Sequence, residues 1–308
     1  ITQTSTGSSV TEGFGTTTNF AGNSIGYSPQ NLAVIGTNKV AAVYVDEGNS
    51  DYPTVQIGEV NGTTNAITWG SKTVIDSNAT NGTGVVWKSS NSTLGVLYRT
   101  SSWAEVRGCT VSGTSVTVGG SNLSLSVVNT NQYGAMLDPD TDEMICWIMD
   151  WDSSQRVLKS FAVDLDGTNT PTLSHSHTTG ALDNVWWGSG SALSYTYDTN
   201  ANVFILTGVK DEPDSAVRFL VQTNTGSAFT TTERTKAITG FKGYGQFCFD
   251  STNNKVIYAF ADSASKVGVV NLTMSADDFT VGSITTTTLA NSGGHNWLAY
   301  DPSNQRVV

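Results

Sequence analysis

The chain writes one hairpin again and again. An apolar strand ends in an aromatic residue and an aspartate, turns through a Ser/Thr/Asn cluster, and leaves as a second apolar strand. Residues 245–262 read GQFCFDSTNNKVIYAFAD, and the same design returns as GAMLDPDTDEMICWIMD (134–150), LSYTYDTNANVFILTG (193–208) and NWLAYDPSNQRVV (296–308). Weaker copies stand at 83–100 and 31–46. The aspartates that open the turns, Asp138, Asp198, Asp250 and Asp301, are 60, 52 and 51 residues apart, and Lys88 takes the slot 50 residues upstream. A period near fifty made of short strands predicts a β-propeller, because each repeat is one small sheet that buries its faces only by stacking on its neighbours.

Two further strands follow each hairpin, as in YPTVQIGEV and AITWGSKTVI around Asn61-Gly62, so each blade has four antiparallel strands. Blades are expected at about 25–74, 83–126, 133–174, 191–238 and 243–290 of a single domain spanning 1–308. Residues 1–20 contain SVTEGFGTTTNF, which reads like the fourth strand at 115–125 or 279–289. Such a strand completes the blade begun at 291–308 and closes a ring of six blades, or of seven if the native chain continues past Val308. Closure removes exposed sheet edges.

Only 13% of residues are charged, so Thr, Ser, Asn and Gly cover the surface, which suits an extracellular or virion setting. The net charge of −11, without a basic stripe, argues against nucleic acid as partner. No apolar run reaches the length of a membrane span, so no membrane insertion is expected. Cys109, Cys146 and Cys248 are odd in number and dispersed, and read as buried free thiols rather than a disulfide framework.

Antiparallel strands send their connections alternately to two ends. One end collects the regular first-to-second and third-to-fourth turns; the other collects the second-to-third loops and the links between blades, which vary. Asp46, Asp150 and Asp262 share one repeat position there, and Asp51, Trp103, Trp151, Asp152, Trp186, Trp187, Tyr244 and His295 lie in the same loops and links. Aromatic faces beside carboxylate acceptors suit a hydroxyl-rich ligand such as a glycan. The tryptophans are the expected stacking anchors and the aspartates the acceptors. The plainer alternative is that the aspartates brace turns and the tryptophans pack blades.

Sharper chemistry does not emerge. Asp138, Asp140 and Asp142 alternate as in a calcium loop but lack its Gly and distal Glu, and they coincide with the ordinary repeat turn. His175 and His177 have no third ligand near them in sequence. No catalytic residues, metal or cofactor are therefore assigned. A glycoside hydrolase remains the enzymatic alternative, since paired carboxylates at a propeller axis perform that reaction.

The stretch AAVYVDEGNSDYPTVQIGEVNGTTNAITWGSKTVI (41–75), with the turns DSTNNKVIYAF and DPSNQRVV, resembles the tandem repeats of about fifty residues in tail-fibre and other structural proteins of tailed, especially marine, phages. The resemblance implies a non-enzymatic propeller on a virion surface. Its partners would be a host receptor, most simply a cell-surface glycan, and other virion or fibre chains. A fibre component without any ligand is the structural alternative.

Overall fold

The computed structural model describes residues 31–307 apart from 79, 81, 101–102, 128–131, 153–154, 168–169, 183–192, 208–215, 263–265, 291–297 and 302–305. The expected closing strand within 1–20 lies outside the described residues. The described chain is all-β, with one short 3-10 turn at Glu47–Asn49 and no helix long and apolar enough to cross a membrane.

Five sheets follow one another, each with its strands in chain order. The first holds β1 (Asn31–Gly36), β2 (Lys39–Asp46), β3 (Tyr52–Val60), β4 (Ile67–Trp69) and β5 (Thr73–Val74). The second holds β6 (Thr83–Lys88), β7 (Thr93–Arg99), β8 (Ala104–Ser112) and β9 (Ser115–Ser124). The third holds β10 (Tyr133–Leu137), β11 (Met144–Asp152), β12 (Gln155–Asp164) and β13 (Thr172–Thr178). The fourth holds β14 (Ser194–Asp198), β15 (Val203–Thr207), β16 (Ala216–Asn224) and β17 (Phe229–Ala237). The fifth holds β18 (Phe241–Asp250), β19 (Lys255–Asp262), β20 (Lys266–Ser275) and β21 (Asp278–Ala290), and a two-stranded pair, β22 (Tyr300–Asp301) with β23 (Arg306–Val307), follows it.

The repeat turns explain their own sequence. The residue at the mouth of each second strand, Asn38, Ser92, Asp142, Asn202 or Asn254, has φ between 53° and 60°. Asn and Asp tolerate that left-handed conformation best among residues with a side chain. Asp198 Oδ1 accepts the backbone N–H groups of Asn200 and Ala201, and Asp250 Oδ1 those of Thr252 and Asn253. Burial opposes the charge on Asp250, but the Asn253, Tyr300 and Thr252 hydrogen bonds outweigh it and hold the carboxyl below its usual range. The Asp138 turn closes through backbone bonds between Asp138 and Glu143 and between Asp142 and Asp138, as a turn does.

Two details depart from expectation. At Asn61-Gly62 the left-handed residue is Asn65, and Asn61 Oδ1 instead accepts the N–H groups of Thr63 and Thr64, giving a wider Asx-capped loop than a two-residue hairpin turn. The expected fourth strand of the first sheet is broken into β4 and β5, both paired with β3. Between them Gly70 lies so close to the second sheet that a Cβ there would meet the Thr114 carbonyl oxygen at 2.5 Å.

Contacts divide the chain into two compact units: Ile1–Asp138, Asp142–Trp151 and Lys159–Ser176 form one, and Pro139–Thr141, Asp152–Leu158 and His177–Val308 the other. In the first unit the leading strands β1, β6 and β10 lie side by side. Its two cores are the layers between successive sheets. Ala41, Val43, Val55 and Ile57 meet Leu94, Val96, Tyr98 and Cys109, and Val86, Leu97 and Val106 meet Met144, Cys146, Ile148 and Val163. Alternate residues of β7 thus serve opposite layers, as the two-residue period of a strand requires. In the second unit β14 lies beside β18, and Phe219, Phe247, Tyr258 and Phe279 fill the layer between the fourth and fifth sheets. All three cysteines are buried free thiols.

Candidate functional site

The second strands end where the sequence places its aspartates. Asp46 and Asp262 close β2 and β19, and Asp150 lies two residues from the end of β11. All three are buried, and all three are engaged. Asp46 Oδ2 holds Lys72 Nζ at 2.8 Å, Asp150 Oδ2 holds Lys159 Nζ at 2.6 Å, and Asp262 Oδ1 accepts the Lys266 N–H at 2.7 Å. Asp46 Oδ1 is buried and takes no hydrogen bond from a described residue. Asp51 is exposed beside this strand end, where its N–H donates to the Asp46 carbonyl.

In the second sheet Thr100 occupies the aspartate's position. Its Oγ1 accepts the N–H of Trp103, and its own N–H donates to the Trp103 carbonyl. This clamp holds Trp103 with 41% of its surface exposed. Trp151 and Asp152 close β11 and Tyr244 lies within β18, but their side chains lie outside the described set, as do Trp186, Trp187 and His295 altogether.

Directly beneath that turn is a cluster that the repeat pattern did not single out. Tyr98 and Glu105 are paired opposite each other across β7 and β8, and Arg107 is opposite Asn122 across β8 and β9. Residues 105 and 107 share one face of their strand. That face meets Asp76, which hangs from the link between the first two sheets. The Tyr98 hydroxyl lies 3.0 Å from Asp76 Oδ2 and 3.0 Å from Glu105 Oε2. Arg107 Nη2 is 3.4 Å from the same Asp76 oxygen and Nη1 donates to the Gly119 carbonyl, while Asn122 Nδ2 donates to Glu105 Oε2.

One phenol has one proton for two carboxylates, so it donates to one at a time and fixes both. Burial, helped by the negative Asp76 and Glu105, pushes the Tyr98 hydroxyl far above its ordinary pKa and keeps it protonated. Glu105 is thereby held through Oε2 alone, and Oε1 takes no hydrogen bond from a described residue. Glu105 is itself buried, with 8% of its surface exposed, and a carboxylate held through one oxygen keeps the other as an acceptor for the proton of a water or hydroxyl that reaches it. The signal in the sequence was an acid and a base two residues apart, Glu105 and Arg107, inside the apolar strand β8.

Among the described residues no group of three or more His, Cys, Asp and Glu side chains is arranged to hold a metal ion. Arg99, at the end of β7, hydrogen-bonds the Tyr133 hydroxyl, which burial pushes upward and the guanidinium draws down.

No protein-family model matches the chain, and no curated protein does either. Solved structures share its fold. The periplasmic gluconolactonase of Pseudomonas aeruginosa aligns with a TM-score of 0.59 at 11% identity, over 91% of this chain and 83% of that one. A Lactobacillus plantarum protein aligns with a TM-score of 0.60 at 11% identity, over 91% and 83%. A Bacteroides fragilis protein named for a proposed 6-phosphogluconolactonase activity aligns with a TM-score of 0.61 at 9% identity, over 91% and 76%. The β-propeller fold stands on this likeness together with the five successive antiparallel sheets, four of them four-stranded and the first with its last strand broken in two. The expectation of a non-enzymatic, receptor-binding virion domain is corrected by the same finding, since structures that share the fold over nine-tenths of the chain carry the names of lactone-hydrolysing enzymes.

Proposed function

We propose that the chain is a hydrolase of a small sugar-derived substrate, with a sugar lactone as the first candidate. The observation that carries this reading is the buried carboxylate of Glu105, held by Tyr98 and Asn122 through Oε2 with no described residue bonded to Oε1. In lactone opening, Glu105 takes the proton of an attacking water as its oxygen bonds to the carbonyl carbon. The bond from that carbon to the ring oxygen then breaks, and the proton passes to the ring oxygen, leaving the open-chain acid. Tyr98 and Asn122 are positioning residues that keep the carboxylate in one orientation, and Arg107 balances the neighbouring Asp76. The names of the structures sharing the fold support the substrate class. Proton release from glucono-1,5-lactone, followed in a pH-stat, tests it: catalysis well above the spontaneous rate is expected, and a rate equal to the spontaneous one rejects it.

A second reading, glycoside hydrolysis, draws on the same pair. Two contacts of 3.0 Å to one hydroxyl leave Asp76 Oδ2 and Glu105 Oε2 no more than about 6 Å apart, with the buried Tyr98 hydroxyl between them, and a pair of nearby carboxyl groups is what glycoside hydrolysis uses. Release of nitrophenol from aryl glycosides, with the lactone left intact, would favour it.

The proposal places this chemistry on a ring of six blades closed by the N-terminal strand. The side-by-side leading strands within each unit support such a ring. A setting outside the cytoplasm is proposed as well, supported by the sparsely charged composition.

A further inference from the structure

We infer that the substrate of this site is an uncharged, unphosphorylated sugar ring that rests on Trp103. This rests on the lactone reading and deepens it. A phosphorylated sugar is held best by a cation whose charge no carboxylate already offsets, because a phosphate taken from water recovers its hydration mainly from charged donors. In the first unit the described cations at this end of the sheets already hold a partner, three of them a carboxylate. Lys72 serves Asp46, Lys159 serves Asp150, Arg107 serves Asp76 and the Gly119 carbonyl, and Arg99 serves the Tyr133 hydroxyl. Lys88 is bound to Asp164 at the opposite, regular-turn end. Acids outnumber bases across the whole chain, with a net charge of −11, so the surrounding field also disfavours a dianion.

An uncharged ring meets different chemistry. Trp103 is a large apolar side chain held exposed, and the two bonds to Thr100 fix its backbone before any ligand arrives. It stands two residues before Glu105 and five after Tyr98, so an exposed aromatic side chain lies in the turn directly above the buried Glu105 carboxylate. A pyranose or lactone ring can lay its C–H face on an indole while its hydroxyls meet carboxylate acceptors. A phosphate beside Glu105 and Asp76 meets like charge instead.

Calorimetric titration with D-glucono-1,5-lactam, an unreactive ring analogue, and with its 6-phosphate tests the inference separately from turnover. The neutral lactam is expected to bind at least tenfold more tightly than the phosphate. Trp103→Ala is expected to weaken lactam binding at least tenfold, with an unchanged far-ultraviolet circular dichroism spectrum. Equal or tighter binding of the phosphate, or an unaltered Kd in the Trp103 variant, overturns the inference. Lactam binding with this preference but no hydrolysis of the lactone leaves the inference standing and rejects the lactonase reading instead.

Discussion

Lys88 Nζ lies 2.8 Å from Asp164 Oδ1 and 3.7 Å from Asp142 Oδ2, so the cation that replaces the turn-opening aspartate of the second repeat is clasped by two carboxylates of the third sheet. The exchange of an acid for a base is local compensation between adjacent repeats. Ser90 adds a bond from its hydroxyl to Asp142 Oδ2 at 2.6 Å, and Asn91 donates to the Leu165 carbonyl. Lys88 is nearly buried, whereas Asp164 is half-exposed.

That asymmetry sets the order of two variants. Asp164→Ala leaves a buried ammonium with a weaker partner and is expected to cost about 1–3 kcal/mol, whereas Lys88→Met removes the buried charge and keeps its volume, and is expected to stay within about 1 kcal/mol of wild type. Urea unfolding of the two proteins measures this. A Lys88→Met variant that loses more than the Asp164→Ala variant would show that the pair holds the sheets together by attraction rather than by satisfying a buried cation.

Tyr98→Phe removes the hydroxyl between Asp76 and Glu105 and is expected to lower stability by about 1–3 kcal/mol, the cost of leaving buried acceptors short of a donor. The same variant should reduce kcat for lactone opening more than it raises KM, because Tyr98 is fully buried and acts on the substrate only through Glu105. A rise in KM with kcat unchanged would place Tyr98 in binding instead.

Gly70 marks the break between β4 and β5. A methyl group there would press on the Thr114 backbone, which cannot rotate away as a side chain does, so Gly70→Ala is expected to cost about 1–3 kcal/mol. Gly120, whose Cβ position is open, is the control, and Gly120→Ala should leave the unfolding midpoint within experimental error of wild type. Equal effects of the two would show that the approach to Thr114 is not the cause.

Burial pushes the thiols of Cys109 and Cys248 up to about 12, and that of Cys146 higher still. A neutral acid with a raised folded-state pKa gives stability that is complete below the unfolded value, near 8.5, and falls as pH rises toward the folded value. Stability is therefore expected to decline between about pH 9 and 12, more steeply than in a Cys146→Ala variant over the same window. At the acid end the lowered Asp250 carboxyl acts in the opposite sense, and its contribution disappears as pH falls through its depressed value. At pH 8 a thiol reagent should label none of the three cysteines in the native protein and all three in denaturant. Rapid labelling of native Cys146 would contradict its burial.

The architecture was legible because the repeat is enforced by turn chemistry: Asp198 and Asp250 cap their turns, and Asn202 and Asn254 supply the left-handed residue that Asn and Asp adopt readily. The ends of the second strands were legible for the same reason, since Asp46, Asp150 and Asp262 recur in step. Their partners were not, because Lys72 reaches Asp46 from within the break between β4 and β5, where Gly70 comes close to Thr114. The Tyr98 cluster was hidden differently. It joins a strand pair to a residue of the link before it, Asp76, and no period within the repeat relates them. The alternation of Glu105 and Arg107 in an apolar strand was the visible trace.

Glu105→Gln in the proton-release assay with glucono-1,5-lactone tests the central claim most directly. The amide keeps the shape and the Asn122 and Tyr98 neighbours but cannot take a proton from water. The account predicts that wild type opens the lactone and that the variant loses at least a hundredfold in kcat, with KM within about threefold and an unchanged fold by circular dichroism. A Glu105→Gln protein that opens the lactone as fast as wild type would contradict it.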